Sequence, residues 1–313
     1  MRYGGFWFGV GAVAVLIAGY VATRHVANDY YFYAAYIVLQ YVVLATAWNI
    51  LGGYAGYVNF GSAGFYAVGA YTAAILYQAE DGVPLPAMIL AGGVAAGLIG
   101  LIAGYLTLRV KGIYFAIATL ALAIVLETIV KNWDYVGGSR GIYVLHPRHA
   151  DGFANYPRLL FFTMLVLAVG AVVLARLVER SRLGRGLAAI RDDEQAAESA
   201  GVPTLRLKLF AATLSGALMG VAGAPFPYYV SHLEPGSAFS LAIAVNAIAM
   251  PMIGGATSWV GPVIGAVLLG GAQQIATVTI SSILNLLIVG LLLIGFVIFA
   301  PEGIVGLLRK LFR

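Results

Sequence analysis

Residues 85–108 read LPAMILAGGVAAGLIGLIAGYLTL, twenty-four positions without a charged side chain. As an α-helix rising 1.5 Å per residue, this stretch is about 36 Å long, enough to cross the roughly 30 Å hydrocarbon layer of a bilayer. Similar stretches lie on both sides of it. Ten spans are expected, at about 6–22, 32–51, 63–78, 86–108, 112–131, 159–178, 208–230, 238–253, 261–280 and 282–300. The chain of 313 residues is 61% hydrophobic and only 10% charged, more apolar surface than one soluble core can hide. The expected fold is an all-α polytopic membrane protein with about ten transmembrane helices, forming a single transmembrane domain over residues 1–313.

Spans three and eight are short. They adjoin Gly52-Gly53-Tyr54-Ala55-Gly56 and Gly254-Gly255-Ala256-Thr257. A helix broken at such a segment leaves backbone N–H and C=O groups free, which a bilayer tolerates only inside protein or a wet cavity. Both are therefore expected to be glycine-broken or re-entrant. Eight spans with two re-entrant segments is the alternative count. The first apolar stretch has no small-x-small site before Tyr30 and is read as a retained helix rather than a cleaved signal.

Lys and Arg set the orientation. With ten spans and the N-terminus inside, 13 basic residues lie on the cytoplasmic side and 5 on the outer side, so both termini are expected to be cytoplasmic. In a membrane protein the net charge of +5 reports this orientation and not nucleic-acid binding. Cysteine is absent, which removes disulfides and thiol chemistry.

Two polar segments interrupt the spans, an outer one at 132–157 and an inner one at 179–208. The inner one carries Arg191, then Asp192-Asp193-Glu194, then Gln195-Ala196-Ala197-Glu198-Ser199-Ala200-Gly201-Val202-Pro203. Asp192 or Asp193 can cap a helix, and further acids suit its positive end. Gly201 can end it, and Pro203 prevents continuation. A helix of about two turns follows, kept slim by Ala196, Ala197 and Ala200, with a charged rim suited to a groove on a partner.

The pattern from Arg185-Gly186-Leu187 through Glu194-Gln195-Ala196-Ala197 to Gly201 resembles the coupling segment of bacterial ATP-binding-cassette (ABC) importer permeases. Around it, in order, stand Gly53-Tyr54-Ala55-Gly56, Gly137-Gly138-Ser139-Arg140-Gly141-Ile142, Gly261-Pro262-Val263-Ile264-Gly265 and Pro301-Glu302-Gly303-Ile304. Together they resemble the longer permease subunit of branched-chain amino-acid importers. The resemblance implies a multi-pass protein of the bacterial inner membrane that translocates a small polar solute. It also implies a second homologous permease subunit, two ATP-binding subunits and a periplasmic solute-binding protein. Arg191, Asp192, Asp193, Glu194, Ala196, Ala197 and Gly201 would then couple to the ATPase. The chain departs from relatives at Asn59-Phe60-Gly61-Ser62, which lacks their Gln or His, and it lacks the Ile-x-Leu-Pro ending of many coupling motifs. Urea, short amides and small carboxylates are the alternative cargo.

No lysine follows a glycine anywhere, so the chain holds no Gly-x-x-x-x-Gly-Lys phosphate-binding loop and is not expected to be an enzyme; ATP would be bound by partner subunits. Neither metal-ligand spacing nor a cofactor motif is present. Glu127 lies four residues before Lys131 and is read as its intrahelical partner. So few buried acids count against the rival class, an ATP-independent secondary transporter or channel. Polar groups at membrane depth are costly unless they face protein or water. Asn59, Ser62, Tyr66, Thr119, Asn246, Gly254 and Gly255 are the candidate translocation-pathway residues. For the glycine segments the reason is that exposed amides at a broken helix can hold a polar solute. Tyr71 and Tyr114 are further aromatic candidates.

Overall fold

A computed structural model describes residues 3–79, 83–145, 153–279, 290–291, 294–295 and 303–311. It is a helical bundle: α1 (Tyr3–His25), α2 (Tyr30–Ala55), α3 (Ser62–Ala79), α4 (Leu85–Thr107), α5 (Ile113–Lys131), α6 (Tyr156–Arg180), α7 (Arg182–Asp192), α8 (Glu194–Ser199), α9 (Thr204–Gly223), α10 (Phe226–Val230), α11 (Pro235–Ala238), α12 (Leu241–Gly254), α13 (Val260–Thr279) and α14 (Gly303–Leu311). Eight segments among the described residues are long and apolar enough to span a membrane. The chain is thus a polytopic helical membrane protein.

The expected ten spans need two comments. The third is present as α3 but is not one of the eight. Its glycines and tyrosines lower its hydropathy, which it tolerates because Ala67, Ala70, Ala73 and Ala74 are fully buried among other helices rather than against lipid. The tenth, 282–300, lies outside the described residues apart from four positions.

At the centre stands α2, buried on all sides from Val42 to Ala55, as expected of a helix apolar around its whole circumference. Around it stand α6, α9, α12 and α13, and on its far side α9 meets α3 and α4 through small residues. A Cβ on Gly69 would collide with the Gly220 carbonyl, so these backbones approach more closely than any side chain allows. By contrast α1 is peripheral, with Trp7 and Phe6 each 68% exposed. The corner between α1 and α2 is tied down by Arg158, whose Nε donates to Asp29 Oδ1 at 3.2 Å and whose Nη1 donates to the Thr23 carbonyl at 2.8 Å. Two short strands, β1 (Ile142–Tyr143) and β2 (His232–Leu233), pair antiparallel with Ile142 opposite Leu233. Glu127 and Lys131 form the expected i,i+4 ion pair at 2.7 Å.

The first glycine segment breaks later than its sequence suggests. Gly52 and Gly53 remain helical, packed under Trp48 and against Ala256 of the α12–α13 turn. The helix ends at Gly56, whose φ of +78° closes it with Gly56 N donating to the Gly52 carbonyl at 3.1 Å. The second segment breaks at Gly255 as expected, at φ +118°.

Candidate functional site

The inner segment folds as two helices, not one. Ser181 caps α7 by accepting from Gly184 N at 3.3 Å, and Leu187 and Ile190 bury the helix against the bundle. Asp193, in extended backbone, caps α8: its Oδ1 accepts from Gln195 N at 2.9 Å and Ala196 N at 3.1 Å. Asp192 instead closes α7 and pairs with Arg191 at the surface. Gly201 ends the α8 turn at φ +83°, and Val202 N donates to the Ala197 carbonyl at 3.0 Å. The expected two-turn helix is six residues long.

Its alanines divide. Ala196 and Ala200 are exposed, whereas Ala197 is 5% exposed and packs into the chain's own core. This corrects the expectation that all three shape an outward face. Ala197 lies three residues after Glu194, on the same side of the helix, and Glu194 is tied inward.

Glu194 is the centre of the site. Its Oε1 accepts from Lys208 Nζ at 2.7 Å; its Oε2 accepts from Tyr57 OH at 2.7 Å and Lys111 Nζ at 3.0 Å. Lys208 is 4% exposed, and its remaining donors reach the Leu108 carbonyl and Tyr57 OH, both at 3.1 Å. All three protons of the ammonium thus have acceptors. Burial alone would push the Glu194 carboxyl up, but hydrogen bonds from Lys208, Tyr57 and Lys111 outweigh it and hold the group at about 2. Burial and the Glu194 carboxylate together push the Tyr57 phenol up, so it stays protonated and donating. Four chain segments therefore meet at one carboxylate: α8, the first turns of α9, the α4–α5 loop and the loop after α2.

A second tie lies alongside. Arg191 Nη1 donates to the Gly53 carbonyl at 3.3 Å, and the Arg191 stem packs on Gly56. Between these contacts opens a cleft of about 390 Å³, lined by Gly56, Tyr57, Lys111, Arg191, Asp193 and Glu194. A third tie comes from Glu179 at the end of α6. Its Oε2 accepts from Trp259 N at 2.6 Å and Tyr54 OH at 3.3 Å, fixing the α12–α13 turn on the same side of the bundle as the inner segment.

The pathway candidates fall into four buried places. Asn59, Ser62 and Thr119 come together: Asn59 accepts from Gly61 N at 2.7 Å and from Trp48 Nε1 at 2.8 Å, and Thr119 Oγ1 accepts from Phe60 N at 3.1 Å. These bonds hold the α2–α3 loop against the middle of α5. Tyr66 stands apart and accepts from Gln40 at 2.7 Å. Asn246 joins Tyr41 at 3.2 Å and Gln273 at 2.9 Å. Gly254 lies at the end of α12, where a Cβ would collide with the Gly261 carbonyl, and Gly255 begins the turn. Tyr71 is buried beside Phe239, and Tyr114 is exposed on the bundle's outside. Sequence reasoning missed Tyr57, Lys111 and Lys208 as members of the Glu194 site. The one available signal was Lys208, a charge where an apolar span begins.

Comparison with known proteins bears on this arrangement. The family described as "Branched-chain amino acid transport system / permease component" matches residues 30–297. The chain is 29% identical over 301 residues to the high-affinity branched-chain amino acid transport system permease protein LivM of Escherichia coli, covering 88% of this chain and 70% of LivM. It is 25% identical over 264 residues to the probable branched-chain amino acid transport permease protein LivH of Methanocaldococcus jannaschii, covering 79% of this chain and 82% of LivH. It is 26% identical over 225 residues to the L-arabinose ABC transporter permease protein AraH of Azospirillum brasilense, covering 70% of this chain and 64% of AraH. With most of its length matched and its helices packed as a polytopic bundle, this chain belongs to the branched-chain amino acid transport system permease family.

Proposed function

We propose that this chain is the membrane-spanning permease subunit of an ABC importer for amino acids, branched-chain amino acids foremost. It would cross the bacterial inner membrane ten times with both termini cytoplasmic, a reading supported by the 13 to 5 distribution of basic residues. It pairs with a second, homologous permease, two ATP-binding subunits and a periplasmic solute-binding protein. In this reading α8 receives the movement of the ATPase through its outward face: Gln195, Ala196, Glu198, Ser199 and Ala200. Glu194 and Arg191 carry that movement inward. The observation that carries the proposal is the Glu194 junction, because it binds a six-residue surface helix to the loop leading to Asn59 and to the start of α9. In this reading a displacement of α8 passes through Tyr57 and Lys208 to the α2–α3 loop and the start of α9.

Reconstitution of both permeases with the ATPases in proteoliposomes tests this. Radiolabelled leucine should accumulate only with ATP inside the ATPase-accessible compartment and loaded binding protein on the opposite side. Equal uptake without ATP would place the chain among secondary transporters or channels.

A further inference from the structure

Two carboxylates bracket α7. Glu194 opens α8 one residue past its C-terminal end and accepts from Tyr57 OH at 2.7 Å. Glu179 lies in the last turn of α6, two residues before its N-terminal end, and accepts from Tyr54 OH at 3.3 Å. Tyr54 and Tyr57 belong to the end of α2 and the loop behind it. Arg191, inside α7, adds its bond to the Gly53 carbonyl. The inner segment therefore grips the end of α2 from both ends of a helix about 16 Å long.

Glu179 also reaches further than Glu194. The same Oε2 that accepts from Tyr54 accepts from Trp259 N at 2.6 Å. Trp259 immediately precedes α13, so the carboxylate caps that helix from another part of the chain, at the positive end of its dipole. The turn it holds is a stiff unit. A Cβ on Gly254 would collide with the Gly261 carbonyl, and one on Gly261 with the Gly255 carbonyl, so the end of α12 and the start of α13 interlock through backbone. The turn lies directly on α2: a Cβ on Gly53 would meet the Ala256 carbonyl, and Asn49 Nδ2 donates to the Ser258 carbonyl at 3.2 Å. The Trp259 ring packs against Phe8 and Arg176. Among these ties, the Glu179 bond lies nearest the corner where α6 turns into α7.

We infer that Glu179 is a positioning residue for transport: it latches the 255–259 turn to the inner segment. That segment then moves two regions at once, the α2–α3 loop through Glu194 and the α12–α13 turn through Glu179. The role in transport rests on the importer reading above; the latch itself rests on the bonds to Trp259 and Tyr54.

Two measurements keep these apart. Hydrogen exchange on the detergent-purified chain reads the latch without any transport. Glu179→Leu should speed exchange of the Trp259 amide roughly tenfold or more, the factor expected when a hydrogen bond to a charged group is lost. Glu179→Gln keeps an acceptor oxygen and should stay close to wild type. Glu179→Asp keeps the charge but is one methylene too short, and should show the loss in milder form where the leucine variant folds poorly. In proteoliposomes holding both permeases, the ATPases and loaded binding protein, Glu179→Leu and Glu179→Asp should still hydrolyse ATP but deliver severalfold less leucine per ATP, with Glu179→Gln restoring most of that yield. A purely structural role would lower the amount of assembled transporter and leave leucine per ATP unchanged. Wild-type exchange at Trp259 in both Glu179→Leu and Glu179→Asp overturns the latch. Faster exchange with unchanged leucine per ATP overturns its role in transport. If the wild type takes up leucine equally without ATP, the importer reading fails and the transport role with it, while the exchange result still decides the latch.

Discussion

Replacing Glu194 with Gln keeps the shape of the α8 junction and removes its charge. The wild-type carboxyl drops from the ordinary 4.5 to about 2, which at about 1.4 kcal/mol per pH unit sets an upper bound of roughly 3 kcal/mol on its net stabilisation of the docked helix. A second route gives a similar figure. Removing one partner of a buried ion pair costs about 3–5 kcal/mol, but Lys208 keeps two other acceptors here, and the exposed Lys111 contributes under about 1 kcal/mol. We take about 2–3 kcal/mol, which lowers the docking equilibrium constant of α8 roughly 30- to 150-fold. Hydrogen exchange reads this directly: the amides of Ala200, Gly201 and Val202, which bond within the α8 turn, should lose protection by that factor while those of α4 and α9 keep theirs.

The pH dependence follows from the same carboxylate. The docked form holds Glu194 ionised to lower pH than the undocked form, so the undocked form binds more protons between pH 4.5 and 2. Its stabilisation is complete above about pH 4.5 and is lost as pH falls toward 2. Protection should therefore be flat from pH 8 to 5 and decline below that in the wild type, with no such decline in Glu194→Gln. Wild-type protection in the variant, together with normal uptake, would refute the role assigned to this junction.

Two alanines separate docking within the chain from docking to a partner. Ala197→Trp overpacks an internal contact and should cost about 1–3 kcal/mol in thermal stability, whereas exposed Ala196→Trp should melt as wild type yet lose solute-stimulated ATPase activity. Gly254→Ala places a methyl group against the Gly261 carbonyl and should lower the yield of folded protein in membranes, measured by detergent-resistant fluorescence of a fusion. Asn59→Leu removes the acceptor for Gly61 N beside the loop turn; it should leave assembly intact and reduce uptake at least tenfold, and normal uptake would show that the loop only packs.

The eight long apolar segments were legible because a bilayer demands about twenty apolar residues in a row, a requirement written locally in the chain. Asp193, Gly201 and Pro203 marked α8 for the same reason, since caps and stops act within a few residues. Helix α7 escaped notice because its apolar positions, Leu187 and Ile190, are sparse among arginines and glycines. The Glu194 site was not legible, because its partners lie 14, 83 and 137 residues away and only tertiary packing brings them together. The same holds for Ala197: one-dimensional spacing cannot say which side of a six-residue helix faces home until the anchor of that helix is known. Gly52 and Gly53 misled in the opposite sense, since glycines that permit close packing look the same in sequence as glycines that break a helix.

The central claim is that the outward face of α8 is where the ATPase acts. A single cysteine at Ala196 in this cysteine-free chain tests it, using a membrane-impermeant maleimide applied from each side of oriented vesicles. The account predicts labelling only from the cytoplasmic side, strong protection once the ATP-binding subunits are bound, and a change in that protection on adding ATP. Labelling from the outer side, or labelling from the inner side that the ATPases leave unchanged, would contradict it.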